Sequence, residues 1–168
     1  MTPQQIHELL LEKFQDKIES ANLGSLEPHI TVKAEAIADV CQFLKSDQRL
    51  QMNHLNNLCG VDHLDAKTGT GRIEVVYHMQ SYPQRHRICI KVALPRTGDG
   101  PNGLPKCPSV TKVWDVANWH EREAFDLFGI HFEGHPKLVR ILCDEGWEGH
   151  PLRKDYVFPT HYQGMRAN

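Results

Sequence analysis

Seven side chains able to ligate a metal or carry a proton crowd into one third of the 168-residue chain: His120, Glu121, Glu123, Asp126, His131, His135 and His150. Imidazole together with carboxylate suits zinc or iron. The spacing argues for another use. In "HEREAFD" (120–126) no second histidine stands four residues after His120, so the paired-histidine helical face of a zinc protease is missing. His135 and His150 each precede a proline, Pro136 and Pro151, and a residue before proline is pushed towards extended or turn backbone. Histidines placed this way make hydrogen bonds more often than they hold metals. The competing reading is a stand-alone metal-dependent hydrolase using His120, His131, His135 and Glu121.

Other chemistries find less support. No Gly-x-Ser-x-Gly elbow occurs, and "GTG" (69–71) and "GDG" (98–100) do not open a helix as a phosphate loop must. Cys41, Cys59, Cys89, Cys107 and Cys143 form no Cys-x-x-Cys pair, which leaves out the local spacing of zinc ribbons and cysteine-ligated iron–sulfur clusters. Cys107 alone has the loop setting of a reactive thiol.

Glu-Gly-His-Pro occurs twice, at 133–136 and 148–151. Each unit offers a tight turn, a ring that donates and accepts, and a stiff exit, so the two read as anchors where the chain leaves its domain. Around them Phe132, Trp147, Tyr156 and Phe158 interleave with Arg140, Arg153 and Lys154. Residues 144–168 have almost no apolar periodicity and are expected not to fold on themselves, to be mobile without a partner, and to bind one. Arg153 offers a fork for a partner's carboxylate or carbonyl.

The elements that must position these residues follow from local signals. Thr2-Pro3-Gln4-Gln5 reads as a capping box with proline in the first turn, and Ile6, Leu9, Leu10, Phe14 and Ile18 continue at helical spacing. "HITVK" (29–33) alternates as a strand, and Ile37, Val40, Cys41 and Leu44 mark a second helix through Lys45. From Leu50 the chain reads as extended, with Gly60 at a bend or bulge. "RIEVVYHMQ" (72–80) and "RHRICIKVALP" (85–95) form a hairpin around "SYPQ". Residues 95–108 make a Gly/Pro loop that excludes helix and central strand. Ser109 caps a short helix with Val113, Trp114 and Ala117. Asn118 then caps a second helix, with Glu121 completing the box, Arg122 paired to Asp126, Glu123 facing solvent or a cation, and Gly129 as the stop. The fold class is α+β: a single domain with a mainly antiparallel sheet, helices on one face, and an extended irregular C-terminal segment. The domain spans 1–143 and the partner-binding segment 144–168.

Bulk properties narrow the partners. Net charge is −2, so nothing draws the chain to nucleic acid. No apolar run approaches the roughly 20 residues that span a bilayer, so no direct membrane insertion is expected.

"NWHEREAFDLFGIHFEGHPKLVRIL…WEGHPLRKDY" resembles the signature of the thirty-kilodalton, or C, subunit of proton-pumping NADH:quinone oxidoreductase, respiratory complex I. The specific part runs from Asn118 to Asp155, with looser likeness at "GVD" (60–62), "VVYHM" (75–79) and "RICIKVALP" (87–95). The resemblance implies a non-catalytic subunit of the peripheral arm. It would lie on the cytoplasmic side of a bacterial inner membrane, or the matrix side of a mitochondrial one. Its partners would be the quinone-pocket subunit, of the forty-nine-kilodalton type, and neighbouring iron–sulfur subunits. NADH, flavin, clusters and quinone belong to those neighbours; no cofactor is expected on this chain. Carried over residue by residue, the positions holding fold and partners are Glu121, Arg122, Glu123, Asp126, Gly129, His135, Pro136, Arg140, Gly149, His150, Pro151, Arg153, Lys154 and Asp155. Related subunits serve membrane-bound hydrogenase complexes. The chain departs from the family pattern in Tyr156-Val157, where aromatic-Pro is usual and proline comes only at Pro159, in a longer 95–108 loop, and at Asn168, where the longer C-terminal tail of some members is expected to be short or absent.

Overall fold

Thr2 Oγ1 accepts from the Gln5 amide at 3.3 Å and Gln5 Oε1 accepts from the Thr2 amide at 2.9 Å, closing the box that starts α1 (Pro3–Phe14) in this computed structural model, which describes residues 1–65 and 67–166. Ile6 and Leu10 are buried. The helix stops at Phe14 rather than continuing through Ile18. After one 3₁₀ turn, Ile18 opens β1 (Ile18–Asn22), where it packs on the core and pairs antiparallel with β2 (His29–Val32). The four-residue spacing of Phe14 and Ile18 suits a turn into a strand as well as a helix, and strand pairing decides it.

α2 (Ile37–Ser46) buries Ile37, Val40, Cys41, Phe43 and Leu44. β3 (His54–Leu64), β4 (Gly71–Ser81) and β5 (His86–Pro95) complete a sheet of order β1-β2-β5-β4-β3, in which only β2 and β5 are parallel. Register aligns Leu58, Tyr77, Ile90 and Ile30 in one row and Gly60, Val75, Val92, Val32 and Ile18 in the next. These rows and the apolar faces of the helices form one buried cluster. On the opposite sheet face Glu74 is held by Arg72 at 2.9 Å, His63 at 3.0 Å and Lys91 at 3.7 Å.

Gly60 is not a bulge. The irregularity lies between Leu55 and Asn57, and Gly60 instead lets a helix approach: a Cβ there would lie 2.6 Å from Phe128 Cδ2. The 95–108 segment also differs from expectation. Pro101–Gly103 is a 3₁₀ turn and Lys106–Pro108 forms β6, parallel to β7 (His131–Glu133). Cys107 therefore points inward, fully buried, with its Sγ 3.4 Å from the Tyr77 hydroxyl. Burial pushes this thiol up to about 12, the opposite of a reactive cysteine. Phe132, read as an interface aromatic, is likewise core.

Beyond Ser109 there is no short helix, only turns in which Val113 and Trp114 donate to the Val110 carbonyl. α3 (Ala117–Phe128) follows with no side-chain cap among the described residues, and Gly129 ends it in the left-handed region at φ 68°. The last residues fold back more than their lack of periodicity predicts. β8 (His161–Tyr162) pairs with β9 (Met165–Arg166), and Trp147 meets Tyr162 and Phe158 at ring separations of 5.0 and 6.3 Å. Aromatic contact replaces the aliphatic stripe that the sequence lacks.

Candidate partner-binding site

The site is built on the end of α3. An α-helix leaves its last carbonyls without intrahelical donors. Here the segment around the second Gly-His-Pro unit supplies them. His150 Nδ1 lies 2.9 Å from the Asp126 carbonyl, and the Leu152 amide donates to Leu127 at 3.0 Å. Arg153 Nε donates to Phe128 at 2.7 Å and Arg153 Nη2 to Gly129 at 3.2 Å. Four consecutive carbonyls are thus capped from 150–153. Because the Asp126 carbonyl can only accept, His150 carries its proton on Nδ1. Gly129 is needed twice, for its positive φ and because a Cβ would strike His150 at 2.4 Å and Arg153 Nη2 at 2.9 Å.

Asp126 organises the chain between the two repeated units. Its Oδ2 accepts from the amides of Ile141, Leu142 and Cys143 at 3.0, 2.8 and 2.9 Å, and its Oδ1 from Arg140 at 2.7 Å. Burial alone would raise this carboxyl; the three amides and the guanidinium outweigh it and hold it at about 2. Arg140 reaches on to the Gly149 carbonyl at 2.8 Å, tying the segment between the units to the second unit. Asp126 is therefore not the i+4 partner of Arg122, which donates instead to the carbonyls of Val139 and Arg140 and lies over the exposed Trp119 ring.

Glu121 does not cap its own helix. It lies on the inward stripe of Ala117, Ala124 and Phe128 and accepts from the Val110 amide and the Ser109 hydroxyl, both at 2.7 Å, closing the preceding turn. Burial raises its carboxyl to about 7 against those two hydrogen bonds. Glu123 faces solvent. His135 Nε2 lies 3.1 Å from the Asn118 carbonyl and its Nδ1 accepts from the Lys137 amide at 3.0 Å, so the first unit clamps the start of α3 as the second clamps its end. Pro136 and Pro151 stiffen the two exits.

Two further residues complete the site. Asp62, buried on β3, binds Arg96 and accepts from the Lys154 amide at 2.8 Å, while Arg96 Nη2 reaches Asp155 at 2.6 Å. Their signal is the register: Asp62 falls in phase with inward Leu58 and Gly60, where a carboxylate needs a buried partner. Arg153, expected to grip another chain, spends two of its nitrogens inside this one. Among the described residues no three His, Cys, Asp or Glu side chains converge as metal ligands. Among the described residues the buried His120 Nδ1 has no hydrogen-bond partner, and His135 and His150 serve separate carbonyls. Among the described residues no helix is long and apolar enough to cross a membrane.

Fold and site together define an α+β domain whose charged motif residues close its own last long helix and leave a rim of apolar side chains outside. Residues 30–162 match the model of the respiratory-chain NADH dehydrogenase 30 kDa subunit. The chain is 48% identical over 150 residues to the C subunit of NADH-quinone oxidoreductase from Roseiflexus castenholzii, and 49% identical over 150 residues to that of Roseiflexus sp. strain RS-1, covering 87% of this chain and 81% of the relative in both cases. The second C subunit of the Rhizobium etli enzyme is 46% identical over 147 residues, 88% of this chain and 73% of its own. The fold is similar to a chain of the membrane-bound sulfane sulfur reductase, an archaeal respiratory membrane complex, with TM-score 0.67 and 23% identity over 92% of this chain and 85% of that one. The chain belongs to the respiratory-chain NADH dehydrogenase 30 kDa subunit family.

Proposed function

We propose that this chain is a non-catalytic assembly subunit in the peripheral arm of an NADH:quinone oxidoreductase, bracing the quinone-pocket subunit and adjoining iron–sulfur subunits. It carries no cofactor of its own. NADH, flavin, clusters and quinone are handled by its neighbours, on the cytoplasmic or matrix side of the membrane. One observation carries this reading: Asp126, Arg140, His150 and Arg153 hold α3 and the C-terminal segment together, while Leu142, Leu152, Val157 and Phe158 around them are exposed. Such a rim fits contact with other subunits. The named relatives favour the NADH–quinone complex over a hydrogenase-type one.

The test is purification of the tagged chain from its host. It should bring down a complex with NADH:quinone reductase activity, and Arg153→Ala should lower complex abundance and activity in parallel. Activity lost at full abundance would point to a part in the chemistry. Stoichiometric zinc or iron on the isolated chain, or quinone reduction by it alone, would revive the hydrolase reading or a catalytic one.

A further inference from the structure

A cleft of about 660 Å³ opens between the 101–104 turn, α3 and the 149–153 segment. Its ionic lining is Arg140 and Arg153, with the His131 and His150 rings beside them, and no acidic side chain lines it among the described residues. Arg140 is matched by Asp126. Arg153 is not matched. Its Nε and Nη2 bind the neutral carbonyls of Phe128 and Gly129, and among the described residues Nη1 has no hydrogen bond and no carboxylate lies within ion-pair distance. Burial, and then the nearby charge of Arg96, push the guanidinium below its ordinary value, and the carboxylates of Asp155 and Asp62, both beyond ion-pair distance and engaged by Arg96, offset them only in part. A half-buried cation with only neutral partners is short of counter-charge.

We propose that this cleft is a docking groove for an extended acidic segment of a neighbouring subunit, whose Asp or Glu carboxylate is held by Arg153. The proposal rests on the assembly reading above and names the chemistry of the partner at the same site. Charge complementarity supplies the acid. The walls supply the rest: Leu104, Phe125 and Leu138 line the same cleft, so a free inorganic anion would satisfy Arg153 and leave them wet. A peptide with aliphatic residues beside its acid covers both. An arginine fork already fixed on two carbonyls needs little reordering to take a third acceptor, which keeps the entropic cost of docking low.

The isolated full chain is titrated with acetyl-Leu-Leu-Glu-Leu-Leu-amide and followed by amide and arginine Nε resonances. Saturable shifts should appear at Leu104, Gly149 and Arg153, and the same peptide with Gln for Glu should bind about tenfold more weakly. Asn102 is exposed at the cleft and already in the left-handed region that Asp tolerates. Asn102→Asp should weaken the Glu peptide several-fold and leave the Gln peptide unchanged. Equal binding of the two peptides, shifts confined to another surface, or no shift up to about 10 mM would each overturn the groove. Failure of the assembly reading looks different: the peptides bind while the chain brings down no complex.

Discussion

Arg153 Nε donates to the Phe128 carbonyl at 2.7 Å across 25 positions of sequence, making a distant arginine the cap of α3. With Nη2 on Gly129, its planar fork satisfies two terminal carbonyls and sets a positive charge against the negative end of the helix. Arg153→Ala should lower unfolding free energy by about 1.5–3 kcal/mol, the range for hydrogen bonds to charged groups. Arg153→Lys should recover only part, since a single ammonium cannot reproduce the fork. Urea denaturation followed by circular dichroism measures both. Full recovery by lysine would mean that charge alone matters.

Asp126 should make acid stability depend on one carboxyl. Its folded value is about 2 against an ordinary 3.8, so its contribution is present above about pH 4 and is lost as pH falls from there through 2. The shift corresponds to on the order of 2 kcal/mol. Asp126→Asn keeps an oxygen for the three amides but turns an amide group towards Arg140. It should be less stable than the parent at pH 7 by about 2–4 kcal/mol. The gap should narrow as pH falls from 4 to 2, which paired unfolding curves at several pH values would show.

The parts of this fold that are legible in sequence are those fixed by near neighbours. The Thr2–Gln5 box, the β4–β5 hairpin and the Gly129 cap each need only a few consecutive residues, and each forms as read. Glu121 and Arg122 misled because helical spacing offers plausible partners at i−3 and i+4, and Arg153 because its fork suits another chain equally well, whereas their actual partners lie at Ser109, Val139 and Phe128, brought close only by the packed chain. Glu121 carried a warning: it interrupts the inward stripe of Ala117, Ala124 and Phe128, so it had to be buried and bonded. Ile18 and Cys107 failed differently, because strand pairing turned both towards the core.

Glu121 should act in the opposite direction to Asp126. Its carboxyl is raised to about 7 from an ordinary 4.5, so the folded state favours the protonated form. Stability from this group is full below about pH 4.5 and declines as pH rises through 7. Glu121→Gln retains an acceptor for the Val110 amide and can donate to the Ser109 hydroxyl. It should be more stable than the parent by about 1–3 kcal/mol at pH 8 and nearly equal at pH 5. Thermal unfolding at the two pH values decides it, and a variant less stable at pH 8 would show that the buried charge has a partner strong enough to offset its desolvation.

Gly60 sets how closely α3 lies on β3. In a strand interior glycine is normally a weakness, yet a Cβ here would come within 2.6 Å of Phe128 Cδ2 and 2.7 Å of Cγ, the base of a ring that cannot swing away without losing its place on the core. Gly60→Ala should therefore destabilise by about 1–3 kcal/mol despite its better strand propensity. The strain should pass down the helix, because moving Phe128 also moves the carbonyl that Arg153 caps. Adding Phe128→Leu to Gly60→Ala should restore part of the loss, giving a coupling of about 0.5–3 kcal/mol between the two sites in a double-mutant cycle. Additive effects would place the alanine methyl in free space and remove the close approach as the reason for glycine.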